Sequence, residues 1–226
     1  MKRPLYTSSL RRLGNVMTEI EVVYSDNSLI VVNKPSGLLS VPGRGPDKKD
    51  CVIARVQMEF PTARVVHRLD CATSGLMVLA QSLESQRELS RQFHDREVSK
   101  EYAACVAGHC PEQGEVNLPL MTDWPNRPRQ MVSEDGKAAQ TFYRRLERYE
   151  LDGFEVSRVA LTPVTGRSHQ LRVHMMSVGH VIIGDNLYAR DRALDIVDRL
   201  YLHASQLKIS QPESGEVMEF VSDAPF

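Results

Sequence analysis

The residues best able to do chemistry cluster in His67-Arg68-Leu69-Asp70-Cys71-Ala72-Thr73-Ser74-Gly75. Asp70 stands where a polar turn gives way to residues 76–80, a short apolar run of strand length. A carboxylate at the lip of a core strand is held rigidly, which suits a nucleophile or general base. The same place suits an ordinary turn residue, because Asp bonds nearby backbone N–H groups. Two-carboxylate chemistry, as in glycoside hydrolysis, needs a second acid across the reacting bond. No other acid reads as sitting in a comparable turn, so the chemistry on offer is that of one aspartate. Such a group must stay ionised, and an arginine beside it achieves that. Arg172 lies in Gly166-Arg167-Ser168-His169-Gln170-Leu171-Arg172, a stretch that Ser168 can cap as a helix. It reads as that partner or as a surface arginine.

Metal chemistry fits poorly. His169 and His174 are five apart, whereas two ligands on one helical face want four. His67 and His203 are isolated, and the cysteines at 51, 71, 105 and 110 have no CxxC spacing, which points to a reducing compartment.

The elements that must position these groups are short. Residues 20–24 and 29–32 are β-branched runs around Ser25-Asp26-Asn27-Ser28, a hairpin signal. Asn33-Lys34-Pro35-Ser36-Gly37 breaks that pattern, and Val41-Pro42-Gly43-Arg44-Gly45-Pro46 is a loop bearing an arginine. Apolar residues at 52, 53, 56 and 60 predict a helix over 51–60, stopped by Pro61. Ser85-Gln86-Arg87-Glu88 matches a capping box and predicts a helix running to residue 97. Residues 100–108, 140–146, 154–161, 201–203, 206–209 and 217–221 read as strands. Leu171, Met175 and Val178 share a helical face, with Gly179 just past its end, and residues 191–199 read as another short helix. Asp123-Trp124-Pro125-Asn126-Arg127-Pro128-Arg129-Gln130 is a loop joining the only tryptophan to two arginines; its tryptophan reads equally as core or surface. Many strands with few helices between them argue for an α+β fold, a mixed, mostly antiparallel central β-sheet with peripheral helices.

The chain of 226 residues, 42% hydrophobic and 25% charged, has the composition of an ordinary globular protein. No apolar run approaches the roughly 18 residues of a membrane span, and the first residues lack a signal-peptide core. The net charge of −1 does not announce a nucleic-acid partner, but its distribution is uneven. Residues 1–18 hold four bases and no acid, and residues 164–180 hold Arg167, Arg172 and three histidines with no acid. This is a basic face or chance variation over short windows. Residues 1–18 read as a flexible basic arm, suited to phosphates, or as a transit peptide.

At this point the motifs carry a resemblance. His67-Arg68-Leu69-Asp70 with Thr73-Ser74-Gly75, Asn33-Lys34-Pro35-Ser36-Gly37, Lys100-Glu101-Tyr102, Gly166 to His174 and Leu202-His203-Ala204 resemble, in order, those of the pseudouridine synthases of the ribosomal large subunit type. The Arg44 loop and the Trp124 loop are similar to the compact A-type branch, which modifies both 23S rRNA and tRNA. The resemblance implies that uridine in RNA becomes pseudouridine, with one essential aspartate, no cofactor and no metal. It implies Asp70 as nucleophile or base, Tyr102 against the target base and Arg172 paired with the aspartate. Leu171 and Leu202 become apolar pocket wall. The target uridine must be flipped from its stack, and Arg68 is placed to fill the gap. Arg44, Trp124, Arg127 and Arg129 are expected to grip RNA backbone or stack on loop bases. Residues 19–226 are expected to form a single catalytic domain with an active-site cleft and no S4 domain, working as a cytoplasmic monomer on 23S rRNA and tRNA stem-loops. Two other readings stay open: a non-catalytic RNA-binding protein, and a hydrolase that cleaves the same N-glycosidic bond and releases the base.

Overall fold

The computed structural model describes residues 11–13 and 20–226. Along the chain run β1 (Arg11–Leu13), β2 (Ile20–Ser25), β3 (Leu29–Lys34), α1 (Val52–Val56), β4 (Arg64–Val65), β5 (Ser74–Ala80) and α2 (Leu83–His94). There follow β6 (Ser99–Ala107), β7 (Gln113–Asn117), β8 (Leu120–Thr122), β9 (Gln130–Val132), β10 (Gln140–Leu151) and β11 (Phe154–Pro163). The chain closes with α3 (Gln170–Ser177), α4 (Asp191–Asp195), β12 (Leu202–Ser210) and β13 (Val217–Val221). Every strand pair whose register is described is antiparallel, so the α+β, mostly antiparallel expectation holds.

The chain divides into two compact units. The first comprises residues 1–99 and 207–222, with strands ordered β1-β2-β3-β5, β4 on β5, and β13 on β12. The β2–β3 hairpin forms as its sequence implies. Asp26 Oδ1 accepts from Ser28 N at 2.7 Å and Leu29 N at 2.8 Å, fixing the turn. Strand β5 is buried along its whole length. Its Leu76, Val78 and Ala80 pack with Leu29, Val31, Leu207, Ile209, Met218 and Phe220, and Leu89 of α2 covers them. Of the arm expected at 1–18, residues 11–13 form β1, paired antiparallel with β2; the rest lies outside the described residues.

The second unit comprises residues 100–206 and 223–226. Its main strands run β6-β11-β10-β7, and β8 pairs with β9 apart from them. Leu120, Ala139, Val173 and Tyr188 form a small core between α3 and the β8–β9 hairpin.

Several boundaries differ from expectation, for local reasons. Helix α1 ends at Val56 rather than at residue 60, because the bonding tightens there into turns: Met58 N donates to Arg55 O at 3.2 Å and Glu59 N to Val56 O at 3.1 Å. Helix α2 starts before Ser85: Ser82 is its cap, accepting from Ser85 N at 3.0 Å, and the helix stops at His94. Helix α4 spans five residues, not nine. The two strands read at 201–203 and 206–209 are one, β12. Strands β10 and β11 run past the expected ends to a two-residue turn at Asp152-Gly153, both left-handed.

Candidate active site

In the first unit, the turn carrying Asp70 is held from outside by the segment that follows β3. Lys34 ends β3 fully buried. Its Nζ donates to the carbonyls of Pro35 at 2.9 Å, Cys71 at 2.9 Å and Thr73 at 2.7 Å. Burying an ammonium is costly unless it is hydrogen-bonded, and bonds from a charged donor are the strong ones. Ser36 Oγ donates to Ala72 O at 2.7 Å, and Gly37 N donates to Cys71 O at 2.9 Å. Ser40 Oγ both donates to Leu69 O at 2.7 Å and accepts from Leu69 N at 3.1 Å. Thr73 N donates to Asp70 O at 3.1 Å and closes the turn. The carbonyls of 69, 71, 72 and 73 are thus all tied to residues 34–40, while Asp70 itself is half-buried. Gly75, at φ +110°, lets the chain pass from this turn into β5, a conformation that a Cβ strains.

The neighbours of Asp70 divide by face. His67 is structural: its Nε2 accepts from Val78 N at 3.0 Å, and its ring stacks on Phe93 with centroids 4.4 Å apart. Arg68 and Arg44 are exposed.

In the second unit, Arg172 sits on α3 and is 3% exposed. Its Nε donates to Asp185 Oδ2 and its Nη2 to Asp185 Oδ1, both at 2.7 Å. Asp185 is fully buried, and its Oδ1 also accepts from Leu187 N at 3.0 Å and Tyr188 N at 3.2 Å. Asp185 therefore corrects the expectation that no other acid occupies a comparable turn. It follows the apolar residues 181–183 and Gly184 (φ +71°), where a Cβ would run into the backbone of Arg199. This was the signal that the sequence offered and that was missed. Sequence reasoning gave no role to Lys34, which lies within Asn33-Lys34-Pro35-Ser36-Gly37, and Tyr188 carries no local signal.

Ser168 does not cap α3. The cap position is His169, at φ +54°, with no side-chain cap bond. Gln170 does the work instead. Its Oε1 accepts from Thr165 Oγ1 at 2.7 Å and Arg167 N at 3.0 Å, and its Nε2 donates to Gln140 O at 2.9 Å and Thr141 Oγ1 at 3.0 Å. His174 continues the network, meeting Thr141 Oγ1 through Nδ1 at 2.9 Å and Leu118 O through Nε2 at 3.0 Å. A carbonyl only accepts, so Nε2 bears the proton and Nδ1 accepts from the threonine. Burial pushes the His174 pKa below its ordinary value. Gly179 does lie past the helix end at φ +86°, but Val178 is exposed rather than on the buried face.

The Trp124 loop is a tight structure between β8 and β9. Asp123 N donates to Arg129 O, Asn126 N to Asp123 O and Arg129 N to Asn126 O. Trp124 is 63% exposed, which settles it as a surface residue, and the Arg127 guanidinium lies 4.1 Å from its ring centre. Arg127 is exposed and Arg129 half-buried, with its guanidinium 5.4 Å from the Tyr188 ring centre. Tyr102 is half-buried on β6, opposite Leu161 of β11. Leu171 and Leu202 are both buried. No group of three His, Cys, Asp or Glu suited to a metal occurs among the described residues.

Residues 28–177 match the RNA pseudouridylate synthase family. The chain is 55% identical over 207 residues to the dual-specificity RNA pseudouridine synthase RluA of Yersinia pestis, spanning 91% of this chain and 99% of that one. The enzyme of the same name from Escherichia coli strain K12 is 52% identical over 207 residues, spanning 91% and 93%. Among solved structures, human RNA pseudouridylate synthase domain containing 1 superposes with a TM-score of 0.77 at 27% identity, covering 100% of this chain and 87% of that one.

Proposed function

The chain belongs to the RNA pseudouridylate synthase family and is a pseudouridine synthase, an isomerase of RNA; from that premise we propose that Asp70 is the residue that attacks or deprotonates the target nucleotide. The lacing of residues 69–73 to residues 34–40 carries this assignment. It fixes the backbone on both sides of one carboxylate, as an aspartate needs if it must meet a reacting atom within a few tenths of an ångström. Isomerisation breaks the bond from uracil N1 to the sugar, turns the base, and joins C5 to the same sugar carbon. The C5 proton leaves and N1 gains one, so the balance needs no oxidant, cofactor or metal.

Tyr102 lies against the target base in this reading, and Leu171 and Leu202 wall its pocket. Arg172 is the partner of Asp70 in this reading, with its Nε and Nη2 held by Asp185. Arg68 fills the gap left by the flipped uridine. Arg44, Trp124, Arg127 and Arg129 hold RNA backbone or loop bases; the solvent-facing Trp124–Arg127 pair is chemistry suited to an unstacked base. The substrates are a 23S rRNA hairpin and the tRNA anticodon stem-loop, a reading supported by the dual specificity in the relatives' names. Residues 19–226 act as one catalytic domain, as a monomer in the cytoplasm; no helix among the described residues is long and apolar enough to cross a membrane.

The experiment is tritium release from the two synthetic hairpins carrying C5-tritiated uridine. Release from both without free uracil is expected, and its loss in Asp70→Asn with folding intact. Free uracil indicates the hydrolase, and an Asp70→Asn variant active within about tenfold of the parent removes the assignment.

A further inference from the structure

The second unit holds a group of residues that the assignment above does not use. Tyr188 is buried in the small core with Leu120, Ala139 and Val173. Its hydroxyl accepts from Gln130 N at 2.7 Å, at the start of β9, and meets His169 Nδ1 at 2.7 Å, at the head of α3. The hydroxyl thus ties the hairpin backbone and the His169 ring to one point. Its ring has the Arg172 guanidinium 5.2 Å from its centre and that of Arg129 at 5.4 Å. Its own amide rests on Asp185, the ion-pair partner of Arg172. One short turn, residues 185–188, therefore touches both the buried arginine of α3 and the strand that ends the Trp124 loop.

We infer that Asp185 and Tyr188 are positioning residues of the reaction: Asp185 sets the orientation of Arg172, and Tyr188 locks the RNA-gripping hairpin into the same rigid frame. This rests on the reading above that Arg172 serves Asp70 and that the Trp124 loop holds RNA. Physically, a guanidinium has several staggered orientations of similar energy. A bidentate carboxylate selects one, because the planar fork matches it in one geometry. The carboxylate is in turn fixed by two backbone amides. The tyrosine hydroxyl bonds the hairpin backbone rather than a flexible side chain, so the hairpin cannot shift without breaking that bond. Neither residue touches the reacting atoms in this scheme; they act through Arg172 and through the hairpin.

The test measures single-turnover tritium release at saturating RNA hairpin, RNA affinity by filter binding, and thermal melting, for the parent, Tyr188→Phe, Asp185→Asn and Asp70→Asn. Tyr188→Phe keeps the ring and its packing and removes only the hydroxyl. Its rate at saturation is expected to fall about tenfold, since misplacing a catalytic group by an ångström costs up to about 100-fold. Asp185→Asn is expected to fall further. A purely structural role moves melting and leaves the rate per folded enzyme unchanged. A Tyr188→Phe rate within about threefold of the parent at saturation, with or without weaker RNA binding, overturns the inference. If Asp185→Asn does not fold, Tyr188→Phe decides alone. Parent and Asp70→Asn releasing tritium equally defeats the underlying reading; an inactive Asp70→Asn beside fully active Tyr188→Phe defeats only this inference.

Discussion

The aspartate turn of the first unit and the arginine seat of the second hold a charged residue by opposite means. Around Asp70, residues 34–40 reach main-chain atoms on either side of it: Lys34 to Cys71 and Thr73, Ser36 to Ala72, Ser40 to Leu69. Around Arg172, the tie goes to the functional side chain itself, through a buried carboxylate. The first arrangement spreads the task over many neutral acceptors. The second concentrates it in one pair of opposite charges. A buried charge without its partner is far more costly than an unmet carbonyl, so the two seats differ in how they fail.

That contrast is sharpest in stability. Arg172→Ala strands the fully buried Asp185 carboxylate, and an unfolding free energy lower by about 4 kcal/mol is expected in urea titration. Lost activity in that variant therefore has to be read per folded molecule. Lys34→Met removes the donor of three carbonyls while filling a similar volume with an apolar chain. A loss of about 3 kcal/mol is expected, together with loss of tritium release, because the Asp70 turn is no longer pinned. If Lys34→Met proves costlier than Arg172→Ala, the distinction between the two seats is wrong.

Ser40→Ala deletes one donor and one acceptor at Leu69, and about 1 kcal/mol is expected from the same titration. The smallest effect is one of pH and belongs to the arginine seat alone. His174 is held neutral in the folded protein, with its pKa pushed down by burial. Below about pH 6.5 the unfolded chain binds a proton that the folded one refuses. Its contribution is thus intact above that pH and is lost as pH falls toward the depressed folded value. His174→Gln is expected to flatten the fall in stability between pH 7 and pH 5, measured as paired urea midpoints. An unchanged slope breaks the assignment.

The sequence spoke clearly where structure is local. The β2–β3 hairpin announces itself through alternation and an Asp turn, and β5 through an unbroken apolar run against Gly75. The turn that carries Asp70 was legible for the same reason. What escaped depends on residues distant in the chain. The head of α3 is built by Gln170 with Thr141 and Thr165, so the nearby Ser168 was the natural but wrong cap. The short strands β8 and β9 have three residues each, too few to show a period. The turn at Asp185 has a local signal in residues 181–184, but the roles of Asp185 and Lys34 depend on partners, Arg172 thirteen residues away and the carbonyl of Cys71 thirty-seven away.

Trp124 is the only tryptophan of the chain, and it stands 63% exposed at the tip of a hydrogen-bonded loop. The tryptophan fluorescence of this protein is therefore the emission of one hairpin. In the native state it is already that of an indole in water, long in wavelength, so melting of either core shifts it little. A nucleobase laid on the indole face quenches it by contact. The protein thus carries its own optical probe, nearly blind to unfolding and sensitive to occupancy of the loop that bears Arg127 and Arg129.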